Sequence, residues 1–139
     1  MADLSVSGNP RIVFPRRAEV WDGIAAEALT AGDVLYPVSG GTFGLADAND
    51  SGKEQAVGIA LFDTAAGEAV SILSRGHVAG FDLSGVDHGD FIYLSDTAKK
   101  LADAAGTLSV TVGRVWSISD KPNYTKTLYL DFQITTLFA

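Results

Sequence analysis

Apolar and polar positions alternate with a period of two through six stretches of the chain. These are "DVLYPV" at 33–38, "QAVGIALF" at 55–62, "EAVSILSR" at 68–75, "DFIYLS" at 90–95, "TLSVTVGRVWSI" at 107–118 and "KTLYLDFQITTLF" at 126–138. Such alternation puts one set of side chains on each face of a pleated strand, and it predicts half-buried β-strands. The spacers "DTAAG", "AAG" and "SDKPNY" have turn chemistry and are too short for crossover helices. The expected fold class is therefore all-β: a compact antiparallel barrel-like domain.

The pattern is written twice. Residue n against n+57 pairs Gly23 with Gly80, Gly32 with Gly89, Asp33 with Asp90 and Tyr36 with Tyr93. The offset falls to 56 where Leu45-Ala46-Asp47-Ala48 meets Leu101-Ala102-Asp103-Ala104, and to 55 where Val57-Gly58 meets Val112-Gly113. Small deletions of this kind belong in loops. Two copies are too few for a solenoid, which needs about three units to bury a continuous core, so a pseudo-symmetric single domain is expected, with repeats at about 23–58 and 80–113.

Two segments compete as helices: 23–32, and 96–106, where Ala98, Leu101, Ala102 and Ala105 fall at helical spacing behind Asp96. The repeat decides against both. The partner of 96–106 contains Gly40, Gly41 and Gly44, and the partner of 23–32 contains Gly85; each glycine inside a helix costs about 1 kcal/mol. Strand and turn are expected in both places.

Composition narrows the function classes. The 139-residue chain is 47% apolar and 19% charged, which suits an ordinary globular core. It has no cysteine, so disulfides and thiolate metal sites are excluded. No run reaches the 18 or so apolar residues of a membrane helix, and "MADLSVSGNP" lacks a signal-peptide pattern, so synthesis in a cytosol and no membrane partner are expected. A net charge of −7 argues against nucleic acid. Residues 1–17, however, set Arg11, Arg16 and Arg17 against Asp3 alone, a local +2 that leaves −9 elsewhere.

The search for chemistry yields little. A hydrolytic triad would have to use His77 or His88, and no G-x-S-x-G stretch exists, so both histidines are expected at a surface or rim. "DHGD" at 87–90 offers Asp87, His88 and Asp90 as metal ligands, but the aligned "TAGD" keeps only Gly and Asp, which turn geometry explains. "DANDSGKE" at 47–54 lacks calcium-loop spacing and reads as a solvated tip. Lys53 in "SGKEQ" departs from the lysine hairpin of lipoyl and biotinyl carriers, which keep a methionine beside it. No catalytic residue, metal or cofactor is assigned.

The order "AGD-V-x-Y", "L-A-D", "A-V-G-I-A", "G-E-A-V-S-I-L-S-R-G", "H-G-D-x-I-Y" and "V-G-R-V" over residues 18–116 resembles the decoration (cement) proteins of tailed-bacteriophage heads. The resemblance implies a β-tulip-like or barrel body with an N-terminal arm, a homotrimer on the capsid exterior, the major capsid protein as partner, and a non-enzymatic, stabilising role in the virion.

Residues 1–20 read as that arm and 21–139 as the β domain. Pro10 and Pro15 bracket "RIVF" and favour an extended run. Arg11, Ile12, Val13, Phe14, Arg16 and Arg17 are the candidate capsid or subunit contacts, by strand addition and forked arginine bonds. Leu137 and Phe138 join them because an apolar chain end seeks cover. In the alternative, "RIVF" is simply the first strand of the body, with its arginines solvated. Trp116 is expected in the core. The rival functions are a β-fold glycan- or peptide-binding module and a small hydrolase.

Overall fold

The structure, a computed structural model, describes residues 3–118 and 125–132. Within them lie ten strands and a 3-10 turn at Pro15–Arg17. The strands are β1 (Val6–Ile12), β2 (Glu19–Ile24), β3 (Val34–Val38), β4 (Thr42–Leu45), β5 (Gly58–Ala60), β6 (Ala69–Phe81), β7 (Phe91–Leu94), β8 (Leu101–Ala102), β9 (Thr111–Ile118) and β10 (Thr125–Asp131). They form one antiparallel sheet in the order β4-β3-β5-β6-β10-β9-β7-β8, which curls into a half-barrel. The domain is all-β, and both helix-competing segments are strand and turn.

Strand β6 organises the whole. One of its edges carries β5 at Ile72–Leu73 and then β10 at Arg75–Val78; the other carries β2 at Ala69–Arg75 and then β1 at Val78–Phe81. The change of neighbours falls at Gly76, whose φ of +146° and closeness to Ala18 suit a residue without Cβ. The sequence pattern ends this strand at Arg75, because Gly76 and Gly80 interrupt it; the ladder continues through both to Phe81.

Two apolar clusters lie on opposite faces of β3, β5 and β6. Val34, Ile59 and Leu73 belong to the larger cluster, with Ile92, Leu94, Leu101, Val115, Leu128 and Leu130. Their immediate neighbours Leu35, Ala60 and Ile72 belong to the smaller, with Ala25, Leu29 and Val70. Successive residues point to opposite faces, so three strands with a core on each side need apolar residues at consecutive positions. Burying each Leu, Ile or Val contributes about 1.5–3 kcal/mol.

The repeat exists in atoms. Asp33 Oδ2 accepts the Thr30 N–H at 2.8 Å, and Asp90 Oδ2 accepts the Asp87 N–H at 2.8 Å. Gly32 and Gly89 precede them at φ +94° and +87°. Each glycine N–H reaches the next strand, Gly32 to the Ala60 carbonyl and Gly89 to the Val115 carbonyl, both at 2.8 Å. Leu35 pairs with Gly58 as Ile92 pairs with Gly113. The hairpins that follow differ by two residues in register, Tyr36 facing Gly44 but Tyr93 facing Ala102. In the second hairpin Lys99 itself adopts φ +70°, a left-handed conformation the first copy gives to Gly40 and Gly41.

The N-terminal segment is tied to the body from residue 3 onward. Asp3 accepts a hydrogen bond from the Ser95 hydroxyl, Leu4 is buried with its N–H donated to the Leu101 carbonyl at 2.8 Å, and β1 runs antiparallel to β6. "RIVF" is thus the end of a strand in the chain's own sheet. The register shifts between Val6 and Arg11, where Pro10 removes a ladder donor.

Candidate functional site

The positions proposed from sequence as contacts do not form one group. Arg11 pairs with Ala79 and stays exposed; Ile12 pairs with Val78 and packs on the larger cluster; Val13 is half-buried and donates its N–H to the His77 carbonyl at 2.9 Å. Phe14, Arg16 and Arg17 lie on the outside. Leu137 and Phe138 fall outside the described residues.

What gathers around Phe14 was not legible in the sequence. Its ring meets His77 edge-on at 5.2 Å, and His77 in turn lies 4.9 Å from Tyr129 and 6.1 Å from Trp116. The Arg17 guanidinium sits 5.8 Å from the Phe14 ring, so a cation closes the group. Register creates this arrangement: Phe91 pairs with Arg114, Arg114 with Tyr129, and Tyr129 with His77. Directly paired residues share a face, so an aromatic and cationic row crosses β7, β9, β10 and β6 on the outside of the curl. Arg114 lies 4.5 Å over the Phe91 ring and donates to the Gly89 carbonyl at 3.1 Å, which fixes one end.

Trp116 belongs to this face and is 49% exposed, which corrects its expected place in the core. Val115 is buried, so the alternation turns both Arg114 and Trp116 outward. Reading inward from the adjoining valine would have found it.

His77 is half-buried among these rings, while His88 is exposed. The His77 Nδ1 is shut off from solvent and has no hydrogen-bond partner among the described residues. Loss of hydration, and secondarily the Arg17 charge, lower the pKa of the imidazole from its usual 6.5. The ring acts here as a neutral member of an aromatic cluster.

A second feature lies beside the row. Because β5 and β10 leave the same edge of β6 and diverge, a cleft of about 600 Å³ opens there, lined among others by Trp21, Phe43, Ile72, Phe132, Asp22 and Ser74. Trp21 is 61% exposed and its indole N–H donates to Ser74 Oγ at 3.1 Å, which orients the ring along the wall. The Phe43 ring lies where a Cβ on Gly23 would be, so only glycine at 23 lets it stack against β2. At one end Arg75 reaches Glu19 at 3.4 Å and Asp131 at 3.5 Å, and those two carboxylates raise its pKa.

The other sequence candidates resolve as turns. Asp87 Oδ1 accepts the His88 N–H at 2.8 Å and Asp90 caps the same turn, so both carboxylates of "DHGD" serve the backbone. In "DANDSGKE", Asp47 accepts the Asn49 N–H at 2.9 Å and Lys53 pairs with Asp50 at 3.5 Å.

Fold and site together define a class: a β half-barrel with apolar clusters on both faces of β3, β5 and β6 and, on the outer face of β7, β9, β10 and the adjoining part of β6, aromatic rings and guanidinium groups. No family model, curated protein or solved structure matches the chain.

Proposed function

We propose that the chain is a structural virion protein that decorates a phage capsid, binding the outer surface and bridging major capsid protein subunits without catalysing a reaction. The observation that supports this is the outer row of Phe91, Arg114, Tyr129 and His77, widened by Phe14, Arg17 and Trp116. Rings and arginines are the side chains that anchor protein interfaces, and here they stand on a sheet already held rigid from behind by the larger cluster. The order of motifs that resembles decoration proteins points the same way.

The mechanism is linkage. A ligand that binds the assembled lattice and not its dissociated subunits stabilises the lattice by its binding free energy. Assembly as a homotrimer would let several weak contacts act through their effective concentration.

Mixing the purified protein with expanded shells tests this: saturable co-sedimentation and a raised shell melting temperature are expected. Removing residues 1–17 is a poor probe, since it strips β1 and the buried Leu4. Trp116→Ala with Arg17→Glu keeps the core and is expected to weaken coating about tenfold or more. Coating unchanged by that pair would refute the outer face as the contact.

A second reading, a glycan- or peptide-binding module, draws on Trp21 standing in the cleft wall. It predicts retention on polysaccharide columns or on peptides in the absence of any shell.

A further inference from the structure

We propose that the free edge of β2 is a docking edge for an extended segment of another protein, one carrying a lysine or arginine between apolar residues. The proposal rests on the adhesive reading above and names the chemistry of one contact.

Strand β2 pairs with β6 along one edge, and among the described residues no strand pairs with the other. Its far end is covered by β4: Ala25 forms a parallel bridge with Phe43, Ala26 donates to the Phe43 carbonyl at 2.8 Å, and the Phe43 ring lies over Gly23. Proteins usually guard such an edge with lysine, proline, an internal bulge or a covering loop. In β2 there is no Lys or Pro, and its one register shift sits at its start, between Glu19 and Val20. Instead it exposes Val20 and Ile24 at 45% and 42%, with Trp21 between them. The open stretch, Glu19–Gly23, spans about 17 Å, enough for a short partner strand.

Charge selects the partner. The cleft beside β2 is lined by Glu19, Asp22 and Asp131 against the single Arg75. Arg75 is committed to Glu19 and Asp131. Asp22 stands next to Trp21 with no cation at ion-pair distance among the described residues. A lysine or arginine set opposite Asp22 in an added strand would meet its carboxylate, with apolar residues two positions to either side covering Val20 and Ile24 on that same face.

The chain's own basic segment is not this occupant. Arg11 and Ile12 are paired in β1, and Phe14 and Arg17 are held in the aromatic group around His77.

The test uses full-length Trp116→Phe protein, so that fluorescence reports Trp21, with three soluble octapeptides of alternating threonine and valine: one with a central lysine, one with glutamate there, and one with a proline that breaks the ladder. The lysine peptide is expected to shift the emission saturably, to bind about tenfold tighter than the glutamate peptide at low salt, and to lose that margin at high salt. It should also slow hydrogen exchange within residues 19–24, and the proline peptide should do neither. Asp22→Lys should reverse the order of the lysine and glutamate peptides. Equal binding of those two, silence from both at millimolar concentration, protection elsewhere, or a response only to polysaccharide would each overturn the proposal. If native protein coats shells normally while the peptides fail, the edge assignment falls and the decoration reading stands; if the peptides bind and native protein does not coat shells, the reverse holds.

Discussion

Asp33 and Asp90 do the same geometric job in different surroundings, and the difference is measurable. Both accept a backbone N–H three residues back at 2.8 Å, but Asp33 is buried while Asp90 is exposed. Burial raises the pKa of Asp33 against the lowering effect of the Thr30 N–H and of Lys99 and Lys100. Asp33→Ala removes a hydrogen bond made by a buried carboxylate and is expected to cost about 1–3 kcal/mol; Asp90→Ala, at an exposed turn, should cost a fraction of that in parallel urea titrations. His77 supplies the pH dependence. Its folded pKa lies below the unfolded value, so the unfolded chain binds the proton more readily. Its contribution is complete above about pH 6.5 and is lost as the pH falls from there toward the folded pKa. Melting temperatures from pH 7.5 to 5.5 should therefore drop more steeply for the native protein than for His77→Phe. Equal slopes would mean that the imidazole is hydrated after all.

Glycine shows how elements are fitted together. A Cβ on Gly58 would press on Ile72 and the Leu73 carbonyl, and one on Gly113 would strike the Tyr129 carbonyl. These are equivalent positions of the repeat, each where a strand passes too close for a side chain. Gly58→Ala and Gly113→Ala should each cost about 1–3 kcal/mol or more by prising apart a ladder. Gly85→Ala, with open space and no left-handed φ, should be nearly silent in the same melts. The matched glycines, the turn aspartates and the period-two runs are short-range signals, and so the fold class and the repeat were legible in the sequence. Strand β2 was not, and β1 was only one of two readings of "RIVF", because Pro10, Pro15 and Gly23 break the alternation just where the chain changes neighbours along β6. Nor was the outer row, which depends on register: Phe91, Arg114, Tyr129 and His77 come together through three separate ladders. The cleft needs the divergence of β5 from β10, a property of the curled sheet that no local pattern encodes.

At the scale of the molecule, a duplicated sequence raises the question of whether its halves are separable. The hydrogen bonds say they are not. Val34 donates to the Lys99 carbonyl at 2.9 Å, Ala48 to the Ser95 carbonyl at 3.1 Å and Leu108 to the Ala48 carbonyl at 2.9 Å, so the hairpins of the two copies close on each other. Strand β6, between the copies, holds β5, at the end of the first, and β10, which follows the second, on one edge, and its Ile72 and Leu73 point into different apolar clusters. A strand shared in this way couples the clusters, since melting either one removes support from both. Heating should therefore give one transition whose calorimetric and van't Hoff enthalpies agree. Leu35→Ala in the smaller cluster and Leu128→Ala in the larger should each lower that same transition by about 2–5 kcal/mol. Two resolved transitions, with Leu35→Ala moving one and Leu128→Ala the other, would show that the halves fold independently and that β6 does not bind them. A single transition is also what the proposed decoration role would require: a body that links neighbouring subunits transmits load only if it has no weaker internal seam than its contacts.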